Sequence, residues 1–167
     1  MNALVVYESL WGNTSAIAHA IADGIGPDAR VVSTAEAGPA LERGVDLVVA
    51  GAPLLGFSLP TETMRRSIAG DMKHRDHPPN LGHPSMRSVL EGLPKGSGLC
   101  AGFETRIWWS PGSSAKKITS LLEAAGYRRA AAPEKFLVTG TYGPLKEGEL
   151  ERAQAWGAAL AKAAIGA

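Results

Sequence analysis

Cysteine is almost missing from this chain: its 167 residues contain one, Cys100. An internal disulfide is therefore excluded, and a reducing cytoplasm is the expected compartment. A charge surplus is lacking as well, since 17 Lys and Arg stand against 16 Asp and Glu, a net +1. No strong field of either sign draws such a molecule toward nucleic acid or toward basic partners. No basic segment precedes the strand-like start Ala3-Leu4-Val5-Val6-Tyr7, which does not read as a signal peptide. A bilayer-crossing run is also wanting. The Ala-rich end, Ala155 to Ala167, is too short to span and contains Trp156 and Lys162, so it reads as a packed helix.

What is there is the material of a single domain over residues 1–167, with 45% hydrophobic and 20% charged residues. A chain of this length buries roughly 70% of its unfolded surface, enough to stand without disulfide or structural metal. Four apolar runs recur: Ala3–Tyr7, Val45–Gly51, Leu99–Phe103 and Phe136–Gly140. Strands covered by helices on both faces lose their apolar/polar alternation, and Leu4-Val5-Val6 and Leu47-Val48-Val49 read that way. A shorter, more polar fifth run, Arg30–Ser33, suits a sheet edge.

Between the runs, Ile17, Ile21 and Ile25 recur at helical spacing, as do Ile118, Leu121, Leu122 and Ala125. Leu150, Ala153, Gly157, Leu160 and Ala164 form a last stripe, whose small residues would let that helix lie close to the sheet. Strands alternating with helices predict right-handed crossovers and an α/β fold. Its form is a doubly wound, five-stranded parallel sheet of order 2-1-3-4-5 within three α/β/α layers. A long irregular stretch rich in His, Pro and Asp, Asp71 to Pro84, precedes a helical patch at Met86–Leu93. It reads as a loop over the sheet edge, and loops of that length are often functional.

The strongest chemical signal is Ser9-Leu10-Trp11-Gly12-Asn13-Thr14, directly after the first strand and directly before the Ile17/Ile21/Ile25 helix. In a doubly wound sheet ligands sit beyond the carboxyl ends of the strands, where a strand-to-helix turn points free N–H groups outward. Gly12 lets the backbone approach a phosphate, the helix dipole favours an anion there, and Ser9, Asn13 and Thr14 add side-chain donors. The loop has no lysine, so it is not a Walker A motif; a monophosphate suits it better. The plain alternative is an Asn/Thr cap on a helix that binds nothing.

This loop resembles the FMN phosphate loop of the flavodoxin family, Ser/Thr-x-Thr-Gly-Asn-Thr after strand one. Trp11 stands where flavodoxins have a hydroxyl and is similar to the aromatic in the Ser-Met-Tyr-Gly loop of flavodoxin-like quinone reductases. The resemblance extends to a bacterial flavodoxin-domain group from Val5 to Ala161. It is carried by the order and spacing of Gly51-Ala52-Pro53, Met86 to Pro94, Phe103-Glu104-Thr105-Arg106, Gly112 to Lys117, and Gly143-Pro144-Leu145 running into Gly148-Glu149-Leu150.

What the resemblance implies is FMN as cofactor, with its isoalloxazine between the loop after strand three, Ala52 to Leu59, and the loop after strand four, Phe103 to Ser113. Phe57, Trp108 and Trp109 would stack on or shield the ring, and backbone near Pro53, Leu54, Leu55 and Gly56 and near Glu104, Thr105 and Arg106 would bond its polar edge. Arg106 near the ring would raise its potential. Two departures stand out: Leu54-Leu55 replace the Thr-His pair of the group, and Phe-Glu-Thr-Arg replaces Phe-Asp-Thr-Arg.

Other constellations compete weakly. Cys100 and Arg106 have the Cys-x5-Arg spacing of a phosphatase loop, but Glu104 stands where a phosphate dianion would sit, and Cys100 lies in an apolar strand that raises a thiol pKa. His74, His77 and His83 with Asp71 and Asp76 occupy a Pro-rich loop without a rigid frame for a metal. A phosphoacceptor receiver domain needs an Asp ending strand three, and Gly51-Ala52-Pro53 has none.

The expected function is therefore an FMN-binding redox protein, either an electron-transfer flavoprotein or an FMN-dependent oxidoreductase. It would pass electrons between a reductase or NAD(P)H and a protein or quinone acceptor, with no catalytic acid or base and no metal. Near-neutral charge sits poorly with a shuttle that docks on basic partners. The alternative is a flavin-free binding module that keeps the fold while its FMN site has decayed, as Leu54-Leu55 suggests.

Overall fold

Alternate residues of the first strand face opposite ways, and each face has found its own cover. Leu4 and Val6 join one buried cluster with Val48, Ala50, Met86, Ile118 and Leu122, whereas Ala3 and Val5 join another with Ile17, Ile21, Val49, Phe103 and Leu160. The computed structural model describes residues 1–41 and 44–166. In chain order its elements are β1 (Ala3–Tyr7), α1 (Asn13–Ile25), β2 (Ala29–Ser33), α2 (Ala37–Leu41), β3 (Leu47–Pro53), α3 (Glu62–Gly70), α4 (Met86–Glu91), β4 (Leu99–Arg106), α5 (Ser114–Ala124), β5 (Arg128–Arg129), β6 (Glu134–Leu137) and α6 (Glu149–Ile165). Helices α1 and α6 cover one face of the sheet; α2, α4 and α5 cover the other.

The strands pair in parallel in the order β2-β1-β3-β4-β5, with β2 at an edge and β6 also pairing with β4. This is the doubly wound order expected, with one correction. The last strand is split in two and does not run as the single Phe136–Gly140 segment. Arg128 and Arg129 pair with Leu99 and Cys100, and pairing resumes where Glu134 meets Phe103. Residues 130–133 thus cover the length that Ala101 and Gly102 span on β4, and Pro133, which has no N–H to give a ladder, ends the interruption.

Strands β3 and β4 run further than their apolar stretches, through Pro53 and Arg106. Polar Glu104 and Thr105 belong to the strand because both are buried and bonded: the Glu104 carboxylate accepts from the Ala115 N–H at 2.8 Å and from Ser113 Oγ at 2.7 Å, anchoring the start of α5.

The small residues of α6 do bring it close, but to α1 and not to the sheet. A methyl group at Gly157 would stand 2.1 Å from the Ile21 carbonyl oxygen, and one at Gly24 would stand 1.9 Å from that of Gln154. Each helix therefore presents a glycine to the backbone of the other. Leu150, at the head of the expected stripe, is 45% exposed.

Helix α3 carries no apolar stripe strong enough to announce it. Its start is fixed by Thr61, whose hydroxyl accepts from the Met64 N–H at 3.2 Å. The stretch from Asp71 to Pro84 opens with a 3-10 turn, Met72–His74, and then lies across the loop that follows β1. No helix among the described residues is long and apolar enough to cross a membrane.

Candidate functional site

Strand β1 ends at Tyr7, and the chain turns through Ser9 to Gly12 before α1 begins. Gly12 caps the helix at φ 94°, a left-handed conformation that a side chain resists. Its carbonyl takes the Ala16 N–H, the first such bond of α1, so the N–H groups of Asn13, Thr14 and Ser15 precede the ladder and are left to point beyond the helix. Inside the loop, the Gly12 N–H donates to Ser9 Oγ at 3.0 Å. The Thr14 and Thr105 hydroxyls lie 2.7 Å apart and join this loop to the end of β4.

The loop is held from outside as well. Asn80 N–H donates to the Leu10 carbonyl at 2.8 Å, and Trp11 Nε1–H to the His77 carbonyl at 2.9 Å. The Ser9 carbonyl is 3.1 Å from His83 Nε2, which must carry the proton in that bond, and His83 Nδ1 is 3.1 Å from the Thr34 hydroxyl. The His/Pro-rich stretch therefore serves as a brace on the loop. His74 bonds the Tyr142 hydroxyl and His77 stacks on the Tyr142 ring at 4.4 Å. His74 and His77 thus share Tyr142 while His83 holds Ser9, and the described residues contain no cluster suited to a metal ion.

Beneath the brace lies a buried ion pair. Glu8 is fully buried and Arg65 is 4% exposed; Arg65 Nε is 3.3 Å from Glu8 Oε1, too poorly aligned for a hydrogen bond but close enough for strong attraction. The other Glu8 oxygen accepts from the Met86 N–H at 2.7 Å. Burial pushes the Glu8 carboxyl above its ordinary range, opposed by the Met86 bond and the Arg65 charge. Arg65 also reaches Glu62 and the His83 carbonyl, and the hydrogen bond from Ser85 is the main cause holding the Glu62 carboxyl below its ordinary range. This network ties α3, α4 and the brace to the residue just before the loop.

A cleft opens at the carboxyl end of the sheet. Ser9, Leu10, Trp11, Asn13, Thr14, Pro53, Leu54, Leu55, Thr105 and Arg106 all line it, together with Ile107, Ser110, Val138 and Thr141. Gly12 lies just beside it, in an adjoining groove with Ser33, Asn80 and His83. The loops after β3 and β4 meet at their base, where Leu54 N–H donates to the Thr105 carbonyl at 2.9 Å, and again where Ser113 N–H donates to the Phe57 carbonyl at 3.3 Å.

Several expected site residues stand elsewhere. Phe103 is fully buried against Phe136 and over Gly51, so its ring is core and cannot stack on a ligand. Ala52 is likewise core. The Glu104 side chain turns to α5 and to Arg106, whose Nη1 lies 2.9 Å from Glu104 Oε1 and 2.9 Å from the Gly112 carbonyl; the Arg106 charge is thereby spent largely within the protein. Phe57 and Trp108 are each 74% exposed outside the cleft, Trp109 is exposed beside them, and Gly56 borders a separate apolar pocket. The apolar walls of the slot are instead mostly aliphatic, Leu54, Leu55, Ile107 and Val138, with Trp11 as the aromatic beside them.

Ile107 and Ser110 fall within the expected loop after strand four, though neither was singled out; Val138 and Thr141 were not anticipated. Val138 and Thr141 come from the loop after the final strand, and no local pattern marks them; only the topology that brings this loop beside β4 does so. The Cys-x5-Arg pair is undone by extension, for Cys100 and Arg106 sit at opposite ends of β4, about 20 Å apart at strand rise.

No family model matches the chain, and no curated protein matches it. Solved structures do. A flavodoxin from the domain Archaea superposes with a TM-score of 0.67 at 21% identity, covering 99% of each chain. The Flv1 flavodiiron core from Synechocystis sp. PCC6803 gives 0.65 at 21% identity, with 99% of this chain matching 36% of that one. A WrbA-like flavodoxin from Agrobacterium tumefaciens gives 0.61 at 19% identity over 99% and 98% of the two chains. The fold is flavodoxin-like.

Proposed function

We propose that the chain binds FMN by its phosphate at Ser9–Thr14 and works as a redox protein, passing electrons between a reductase or reduced nicotinamide and a protein or quinone acceptor. The observation that carries this reading is the left-handed Gly12 turn, which leaves the first-turn N–H groups of α1 unspent beside a cleft at the carboxyl end of the sheet. The residues present fit an anionic head followed by an apolar body. Asn13, Thr14 and Ser15 N–H with the Ser9, Asn13 and Thr14 side chains suit a monophosphate, and Leu54, Leu55, Ile107 and Val138 suit a flat ring.

FMN supplies the electron-carrying chemistry when bound; the protein holds and tunes it. Thr14 is held in place by Thr105, so its hydroxyl has little freedom to lose when it meets a phosphate. The aliphatic slot excludes water from one bound against it, and that environment disfavours an added negative charge. Arg106, paired with Glu104, does little to offset this.

The test is a titration of the apo-protein with FMN and with riboflavin, followed by flavin fluorescence, on the native chain and on Gly12→Trp and Thr14→Ala variants. Tight FMN binding that weakens without the phosphate or with either substitution supports the reading. Absence of binding at tens of micromolar flavin overturns it and favours a flavin-free module, the reading motivated by Leu54-Leu55.

A further inference from the structure

We infer that an apolar pocket next to the cleft is a binding site for a small planar aromatic that carries a hydroxyl group, the chemistry of phenols and hydroquinones. The pocket, ≈ 370 Å³, is walled by Met64 and Ile68, one turn apart on α3, by Leu55 and Gly56, and by Trp11 and His74. That volume lies at the small end of the range for ligand pockets, about 300–1,000 Å³, and suits one or two fused rings. Gly56 helps to make the room: a methyl group there would stand 2.9 Å from the Met64 methyl.

Of the polar groups in the lining, the Thr63, Ser67 and Thr141 hydroxyls can each give or accept a hydrogen bond, so selectivity for a donor rests on His74. Trp11 gives its only N–H to the His77 carbonyl, so it offers the pocket only an aromatic surface. The Tyr142 hydroxyl donates its one proton to the Lys73 carbonyl at 3.1 Å. It must therefore accept, and His74 Nδ1, 2.7 Å away, must be the donor. In neutral His74 the proton thus sits on Nδ1 and the lone pair on Nε2, which has no partner among the described residues. A lone pair takes a donor. An aromatic alcohol satisfies it; a ring carbonyl does not.

Trp11, Leu55 and Thr141 line both this pocket and the cleft, so an occupant lies one side chain from whatever fills the cleft. The site itself rests on geometry; only its link to redox chemistry rests on the FMN reading.

The experiment is calorimetric titration of the full apo-chain at pH 8 with 1-naphthol and with 1-methoxynaphthalene, which keeps the rings and lacks the donor. Native protein binds 1-naphthol at least tenfold more tightly. His74→Phe removes that preference, and Met64→Trp, or Ile68→Phe should the first not fold, abolishes naphthol binding while FMN affinity stays within twofold. Equal affinity for the two probes, or no binding of either at 1-naphthol saturation, overturns the inference. So does a fall in FMN affinity on Met64→Trp as large as the fall for naphthol, which would assign the pocket to the cofactor. Should native protein bind naphthol and not FMN, the pocket stands and the FMN reading alone falls.

Discussion

Thr14 and Thr105 are 91 residues apart in sequence, and their hydroxyls meet at 2.7 Å in the buried seam between the loop after β1 and the end of β4. One hydrogen bond therefore couples the proposed phosphate loop to the strand that carries the far wall of the cleft. Thr105→Val keeps the shape and removes the partner. A buried hydrogen bond of this kind contributes about 1 kcal/mol net. Urea unfolding is expected to show that loss, and the preference for FMN over riboflavin should narrow because the Thr14 hydroxyl is no longer oriented.

The glycine contacts between α1 and α6 make a prediction against helix propensity. Alanine in a helix interior ordinarily stabilises by about 0.5–1 kcal/mol over glycine. At Gly157 the added methyl would stand 2.1 Å from backbone oxygen, which no rotamer relieves. Gly157→Ala is expected to cost roughly 1–3 kcal/mol through overpacking, whereas Gly38→Ala, with open space at that position, is neutral or better. Thermal or urea unfolding of the two variants checks the contrast.

Arg65→Met strips the cation from the buried Glu8 carboxylate. Breaking a buried pair costs roughly 3–5 kcal/mol. The Glu8 carboxyl is already raised by burial, so the native state holds that proton more tightly than the unfolded chain does, and its ionisation costs stability as pH rises above the unfolded value. Losing Arg65 raises it further. The deficit of the variant relative to native protein is therefore largest near pH 7 and shrinks as the pH falls through the Glu8 titration. Paired urea curves at pH 7 and pH 5 measure it; a deficit that grows on acidification contradicts the assignment.

Burial pushes the Cys100 thiol up to about 11. At pH 8 only about one thiol in a thousand is then ionised, and the group sits inside β4. A disulfide reagent should leave native protein unlabelled for hours and modify it promptly in denaturant.

The sheet was legible because its central strands are continuous apolar runs, and Leu4-Val5-Val6 needs no tertiary information to be read. The place of the Ser9–Thr14 loop between strand and helix was legible because the apolar run before it and the helical stripe after it mark both ends. On the ring side, the burial of single residues was not legible: Phe103 alternates inward on β4, so the last strand and α6 claim it, and the Glu104 side chain anchors α5. Helix α3 escaped notice because it buries Arg65 where an apolar residue would mark a helix, and that choice is explicable only through Glu8, 57 positions away. The brace of His77, Asn80 and His83 on the loop was hidden because each of its bonds has a backbone carbonyl as acceptor, far away in sequence, which leaves no signature in side-chain pattern.

The broken last strand has a consequence for how this molecule meets its own copies. A continuous edge offers a row of unpaired donors and acceptors on which a second chain can add itself. Here the outer edge gives two residues, both arginine, then an irregular stretch ending in Pro133, then four more residues with Lys135 exposed among them. Neither fragment is long enough to template an incoming strand, and the charges repel a like one. The interruption that shortens the ladder thus also leaves this side of the sheet without a continuous edge for strand addition, whereas β2 at the opposite side keeps an unbroken one.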